Sequence, residues 1–502
     1  MSVQMIEPVR ETPSLPQLQE QAECGRLSDG LQTMAAQLKQ YLAFDNADAL
    51  QNRSQWQKAL NASVPDQGVG FEQLLDEMAR YVIPNGSQIP NPGCTSFITT
   101  GASTVGTLAG LVCTVASPQR FGLTAFNFLE DLSLQWLADM FDLPKSMKGV
   151  YSSGGSVANL VALGVARQWA LEKLDIDPAE YGFSQRCRVY ATDASHRTIH
   201  RAAAILGMGR KAVVSIPVDA MGRMIPHELR KQLELDADQD LARVGIVANA
   251  GTTSTGAIDP LFEIGEIAKE YGIWFHVDGA YGLPGILDPR CKPLFRGLEL
   301  ADSVIVDPHK WLGAPVGIGA TFVRDRQLMS RAFAQGPSDY YEGSCVDEDA
   351  QTSMDSLGIP YSDFSVELSA PARGTVVWAL LREIGTQGMA ERVCRHNAMA
   401  QWVATQANTH PRLEVVQEPT LSICCFRYMT DQYDDLNELN RQIHRRLILN
   451  GRNMPSTAKI NGVLAIRPCF LGARTSWQHA EALVDEVIQV GDQLIAEWKI
   501  DS

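Results

Sequence analysis

Apolar positions recur at helical spacing over residues 31–44 and 71–81, stop at a Pro/Asn/Gly loop over 84–93, and resume as helices near 104–115 and 128–141. From about residue 150 to 324 the texture changes. Short apolar runs at 188–191, 213–217, 244–248, 273–277, 303–306 and 319–323 alternate with helical stretches such as 156–174 and 260–271. This alternation of short β-rich runs with helices predicts a parallel or mixed sheet covered on both faces. A polar stretch at 334–365, rich in Gly, Ser, Asp and Tyr, is too long for an idle connection and is expected to be a lid or a disordered segment. Beyond it the pattern predicts helices at 370–384, 389–407, 436–449 and 476–497 and strands at 413–416, 422–427 and 463–467. The expected division is a helical N-terminal arm over 1–100, a large α/β domain over 101–385 and a small α+β domain over 386–502.

Composition narrows the partners. With 502 residues, 45% hydrophobic and 20% charged, the chain is ordinary globular material with ample core. A net charge of -15 repels nucleic acid and anionic membrane, so a small-molecule partner is expected. The ten cysteines contain no CxxC pair and no Cys/His metal spacing, which argues for reduced thiols and against a metal site. The first residues carry no apolar signal segment and no stretch has the length of a membrane span, so the expected compartment is the cytoplasm.

Candidate chemistry sits at the ends of the apolar runs. Asp307-Pro308-His309-Lys310-Trp311 closes the run at 303–306 and places a lysine at a strand exit, as a Schiff-base lysine requires. Alone it would read as an end-of-strand surface charge. His276-Val277-Asp278-Gly279-Ala280 closes the run at 273–277 and puts a carboxylate at a second strand end, the edge where open α/β sheets bind ligands. Ser153-Gly154-Gly155-Ser156 opens the helix at 156–174; its glycines let backbone N–H groups approach an anion, although a plain Ser cap after a Gly turn would look the same. Together they give an aldehyde, a pyridine nitrogen and a phosphate one partner each, the requirements of pyridoxal 5'-phosphate. In Asp193-Ala194-Ser195-His196 the histidine could stack on the ring.

These runs, with Gly251-Thr252-Thr253-Ser254-Thr255-Gly256 and their order from about Leu75 to Ala496, strongly resemble the group II pyridoxal-phosphate-dependent decarboxylases, which act on glutamate, aromatic amino acids, cysteine sulfinate or diaminobutyrate. The resemblance implies the fold type I architecture of PLP-dependent transferases: a large domain with a mainly parallel seven-stranded sheet and a small C-terminal α+β domain. It implies decarboxylation of an L-amino acid to the amine and CO₂, through an aldimine on Lys310 and a quinonoid. Lys310 would carry the cofactor, Asp278 would pair with the pyridine nitrogen, and His196 and Ala280 would flank the ring. Gly154, Gly155, Ser156 and His309 would hold the phosphate; Thr253 or Thr252 would approach the 3-hydroxyl side or the substrate. Tyr340 or Tyr341 resembles a loop tyrosine that delivers a proton. A homodimer with sites at the interface is also implied.

The chain departs from its relatives around the pocket entrance, at 91–97 and 124–128. Candidate substrate residues there are Phe97, Phe126 and Phe128, with Arg373 further on. Two aromatic stretches and no evident second carboxylate clamp favour an aromatic or other neutral amino acid. Three rivals remain: an aminotransferase, for which Arg467 is the candidate carboxylate clamp; an aldehyde-forming or carbon-carbon lyase of the same fold; and a non-catalytic binding protein, which the presence of Lys310, Asp278 and His196 disfavours.

Overall fold

The computed structural model describes residues 20–44, 53–61, 63–118, 124–334 and 359–500. The chain divides after Asn91 into two compact units. In the first, α1 (Glu20–Tyr41), α2 (Arg53–Leu60) and α3 (Phe71–Glu77) are followed by a π-helical turn, Met78–Val82. Gly30 lets α1 close on Phe71, since a Cβ there would come within 2.9 Å of the ring.

The second unit begins with the short strand β1 (Cys94–Thr95), then α4 (Thr104–Ala116) and α5 (Ala125–Met140). Ser103 and Thr124 cap these two helices, each hydroxyl accepting from a backbone N–H three residues on. The alternating region contains β2 (Lys148–Ser152), α6 (Gly155–Glu172), β3 (Cys187–Thr192), α7 (Thr198–Ile205), β4 (Val213–Ile216), α8 (Pro226–Leu235), β5 (Ala242–Asn249), α9 (Leu261–Tyr271), β6 (Trp274–Asp278), β7 (Ser303–Val306), β8 (Gly319–Val323) and α10 (Arg326–Phe333). Its strands form one seven-stranded sheet in the order β2-β8-β7-β6-β5-β3-β4. From β7 to β4 all neighbours are parallel, and β8 alone runs antiparallel to its neighbours β2 and β7. The mainly parallel seven-stranded sheet expected of the large domain is therefore present. The strands are buried within the sheet's helical cover, and the carboxyl edge is left for a ligand where Ser152, Thr192, Asn249, Asp278 and Val306 end their strands.

One strand of that sheet, β2, escapes the hydrophobic pattern because Gly149 interrupts it. The glycine is needed: a Cβ there would lie 2.7 Å from Leu134 and 2.8 Å from Phe322.

The remainder comprises α11 (Arg373–Thr409), β9 (Leu413–Gln417), β10 (Cys425–Tyr428), α12 (Leu436–Asn450), β11 (Met454–Ile460), β12 (Val463–Arg467) and α13 (Trp477–Ile500). Gly385, at φ 69°, kinks α11 where the sequence predicts a break between two helices. A second sheet, ordered β1-β11-β12-β10-β9, covers its own core with residues of α11, α12 and α13. Its edge is the parallel pairing of Cys94 and Thr95 with Met454 and Pro455. No described helix is long and apolar enough to cross a membrane.

Candidate active site

A cavity of about 280 Å³ opens at the carboxyl edge of the large sheet, and Gly154, Gly155, Ser156, His196, Thr253, Asp278, Ala280, His309 and Lys310 all line it. A roomier surface groove of about 700 Å³, beside Trp136, Lys292 and Arg382, has no histidine or cysteine in its wall, so volume alone does not choose the site.

Whether the cavity can take a phosphate is decided at the start of α6. Gly154 is its N-cap at φ 127° and offers no side-chain cap, so the first N–H groups of an 18-residue helix face the cavity without one. Side chains are excluded here: a Cβ on Gly154 would come within 3.1 Å of His309 Cε1, and one on Gly155 within 2.7 Å of Asp307 Oδ2. His309 Nδ1 donates to the Ile318 carbonyl at 2.6 Å, which fixes the ring beside this cradle. The residues therefore fit a phosphate-bearing cofactor.

Lys310 and Asp278 occupy the ends of neighbouring parallel strands. Lys310 Nζ lies 2.9 Å from Asp307 Oδ2, and the carboxylate is buried. The turn that carries the lysine is anchored by Trp311, fully buried, stacked on Tyr281 at 5.3 Å and donating from Nε1 to His396 Nδ1 at 3.0 Å. Asp278 accepts from Asn159 Nδ2 at 3.0 Å and from the Ala280 N–H at 3.1 Å, so both its oxygens are held. His196 Nδ1 is 2.9 Å from Thr198 Oγ1. Burial pushes the His196 pKa below its ordinary value, against the pull of the Asp278 charge, so the ring is neutral near pH 7.

A second cavity of about 420 Å³ shares His196, Thr253 and Lys310 with the first and adds Ser96, Phe97, Ile98, Ser456, Thr457 and Arg467. Thr253 faces both spaces. Its neighbour Thr252 is committed to the loop, its hydroxyl accepting from the Ala257 N–H at 3.1 Å and lying 3.0 Å from Thr255 Oγ1.

Other expected residues lie elsewhere. Phe128 on α5 is 61% exposed, while Phe126 packs against the main core. Arg373 makes a two-pronged ion pair with Glu367 at 2.9 and 3.0 Å and donates from Nε to the Gly317 carbonyl. None of the three lines either cavity. Tyr340 and Tyr341 fall outside the described residues.

Asn159, Thr198, Asn249 and His276 carried no assignment from the sequence, yet the first three line the cavity and His276 stands directly behind it. Signals for two of them exist. Asn159 is one helical turn after Gly155, and strand alternation puts Trp274, His276 and Asp278 on one face of β6.

A family model described as the pyridoxal-dependent decarboxylase conserved domain matches residues 54–429. Among curated relatives, an aromatic-L-amino-acid decarboxylase of Bacillus atrophaeus is 28% identical over 89% of this chain and 90% of its own. A 4-hydroxyphenylacetaldehyde synthase of Rhodiola rosea is 25% identical over 84% of this chain and 86% of its own. The solved structure of Oryza sativa TDC with PLP and tryptamine superposes with a TM-score of 0.85 at 24% identity, covering 95% of this chain and 99% of that one, a likeness of fold. Because the family match runs through every strand end that lines the cofactor-shaped cavity, the chain belongs to the pyridoxal-dependent decarboxylases and is a pyridoxal-phosphate-dependent carboxy-lyase acting on an amino acid.

Proposed function

We propose that the chain decarboxylates an aromatic or other neutral L-amino acid to its amine, with Lys310 as the residue that carries the cofactor. The observation that supports this reading is the wall of His196, Thr253 and Lys310 shared by the two cavities, which sets a substrate-sized space against the lysine. Pyridoxal phosphate supplies the electron sink for the pair left behind when CO₂ departs. The chain supplies the rest. Gly154, Gly155, Ser156 and His309 would hold the phosphate, Asp278 would pair with the pyridine nitrogen, and His196 and Ala280 would flank the ring. Lys310 Nζ attaches the cofactor and then moves a proton at the substrate carbon.

The outer cavity supports a neutral side chain. Its polar groups are mostly hydroxyls, from Ser96, Ser456 and Thr457, beside the Phe97 ring and a single arginine. That arginine is largely spent on protein. Arg467 donates from Nε to the Ser254 carbonyl at 3.2 Å, from Nη1 to the Ser96 carbonyl and Ser456 Oγ at 3.1 Å each, and from Nη2 to the Thr253 carbonyl. Four of its five N–H groups are thus engaged, which weakens both an aminotransferase clamp and recognition of an acidic side chain.

The test is to load the protein with pyridoxal phosphate, offer each common amino acid separately, and measure CO₂ and product together. Equal yields of CO₂ and amine are expected from aromatic or neutral substrates. Activity confined to glutamate or aspartate would sink the substrate class. Aldehyde in place of amine would move the chain toward the chemistry named for its Rhodiola relative.

A homodimer is the expected assembly. Leu108, Val112 and Val115 make an exposed stripe along α4, whose opposite face, Gly106, Ala109 and Cys113, is buried. Sedimentation should give twice the chain mass, with Leu108→Glu/Val112→Glu shifting it to one; a wild-type protein of single-chain mass at micromolar concentration would contradict this. Cys94, Cys113, Cys187, Cys291, Cys394, Cys424, Cys425 and Cys469 are free thiols, which supports a reducing, cytoplasmic compartment.

A further inference from the structure

Behind the cavity runs a buried chain of hydrogen bonds in which every donor and acceptor can be assigned. Trp274 Nε1 can only donate, and it reaches Ser303 Oγ at 2.8 Å. Ser303 has one proton to give and lies 2.9 Å from His276 Nδ1; it donates there because Asp278, at the far end of the chain, takes the Asn159 NH₂ and so turns Asn159 Oδ1 toward His276 Nε2. The proton of the neutral imidazole is thereby left on Nε2, which donates to Asn159 Oδ1 at 3.0 Å. That contact holds the amide facing this way. Its NH₂ group is turned to Asp278 Oδ2 at 3.0 Å and to Thr198 Oγ1 at 3.1 Å. Thr198 passes its hydroxyl proton to His196 Nδ1 at 2.9 Å, and its N–H joins at 3.3 Å. His196 must then carry its own proton on Nε2.

We infer that Asn159 is a positioning residue that couples Asp278 to His196, and that His276 locks the direction of its amide. A reversed amide would set Oδ1 against the Asp278 carboxylate and take the Thr198 proton, so His196 would lose its strongest Nδ1 donor. Two groups on the cofactor would change state together. Water is kept from the lock: Trp274, Ser303, His276 and Asn159 are all buried. Burial also pushes the His276 pKa down to about 4, which keeps the ring neutral, as the direction of the chain demands.

The coupling rests on the roles proposed above for Asp278 and His196, and a double-mutant cycle tests it apart from them. His276→Leu, His276→Gln, Asn159→Ala and the double His276→Leu/Asn159→Ala variant would be compared by pyridoxal-phosphate affinity, by the pH profile of the bound cofactor's absorbance, and by kcat and KM, with melting temperature as the folding control. His276→Leu should lower kcat and cofactor affinity about tenfold with KM nearly constant. His276→Gln should restore most of both, because its amide can accept from Ser303 and donate to Asn159. In the Asn159→Ala background, His276→Leu should have little further effect. Losses that simply add in the double variant, or a Gln variant as damaged as the Leu one, would overturn the inference. So would a His276→Leu protein changed in melting temperature alone.

Discussion

Lys310→Ala should abolish amine formation, by at least about 10⁵-fold in kcat, while leaving a folded protein that still binds pyridoxal phosphate loosely. The size follows from what is lost: an attached cofactor reacts at an effective molarity of about 10⁵ M or more, and without attachment that advantage goes. Folding should survive, because the turn is held by Trp311 through its stack on Tyr281 and its bond to His396, and not by the lysine. Asp307 loses its ion-pair partner at 2.9 Å, so a modest fall in melting temperature is expected. Lys310→Arg separates charge from attachment. It keeps a cation near Asp307 but offers no amine to the cofactor, and it should be as inactive as the alanine variant. Borohydride reduction of the wild type followed by peptide mass analysis should find the cofactor on Lys310. Cofactor fixed by reduction in Lys310→Ala, or decarboxylation retained by that variant, would place the attachment elsewhere and refute the assignment.

The parts of this molecule that were readable from sequence share a physical reason. Strands of a parallel sheet are buried on both faces, so β5, β6 and β7 are mostly apolar, and polar residues at or just past their ends stand out. Asp278 and Lys310 are visible for that reason, and the glycines before α6 for the absence of side chains. What could not be read depended on contacts distant in the chain. Cys94 and Thr95 pair with Met454 and Pro455, and β11 itself looks like a Pro/Ser/Thr loop until β12 supplies its ladder. Ser456 and Thr457 reach the outer cavity only through that strand. Asn159 and His276 were hidden differently. Each is a polar residue inside an apolar pattern, and only their meeting at 3.0 Å gives either a purpose.

Asp278→Ala should cost roughly 10³-fold in kcat, and a cofactor whose ring nitrogen is permanently cationic should recover much of it. An adjacent carboxylate raises the pKa of a cationic group by about 1–3 units, and each unit is about 1.4 kcal/mol of preference for the protonated ring. At the upper end that is about 4 kcal/mol of electron-sink strength, or three decades of rate. The pair of donors on Asp278 shows that the site is built around an anion: Asn159 Nδ2 and the Ala280 N–H each take one oxygen. Asp278→Asn keeps the shape but must turn its own NH₂ toward one of those donors, so it should lose nearly as much activity without a large change in melting temperature. An N-methyl pyridinium analogue of the cofactor carries the charge without needing a carboxylate. In Asp278→Ala the deleted side chain also leaves room for the methyl group, whereas in the wild type the methyl and Asp278 would collide. The analogue should therefore favour the variant and impair the native protein. If it does not rescue Asp278→Ala although that variant binds it, the carboxylate acts on something other than the charge of the ring.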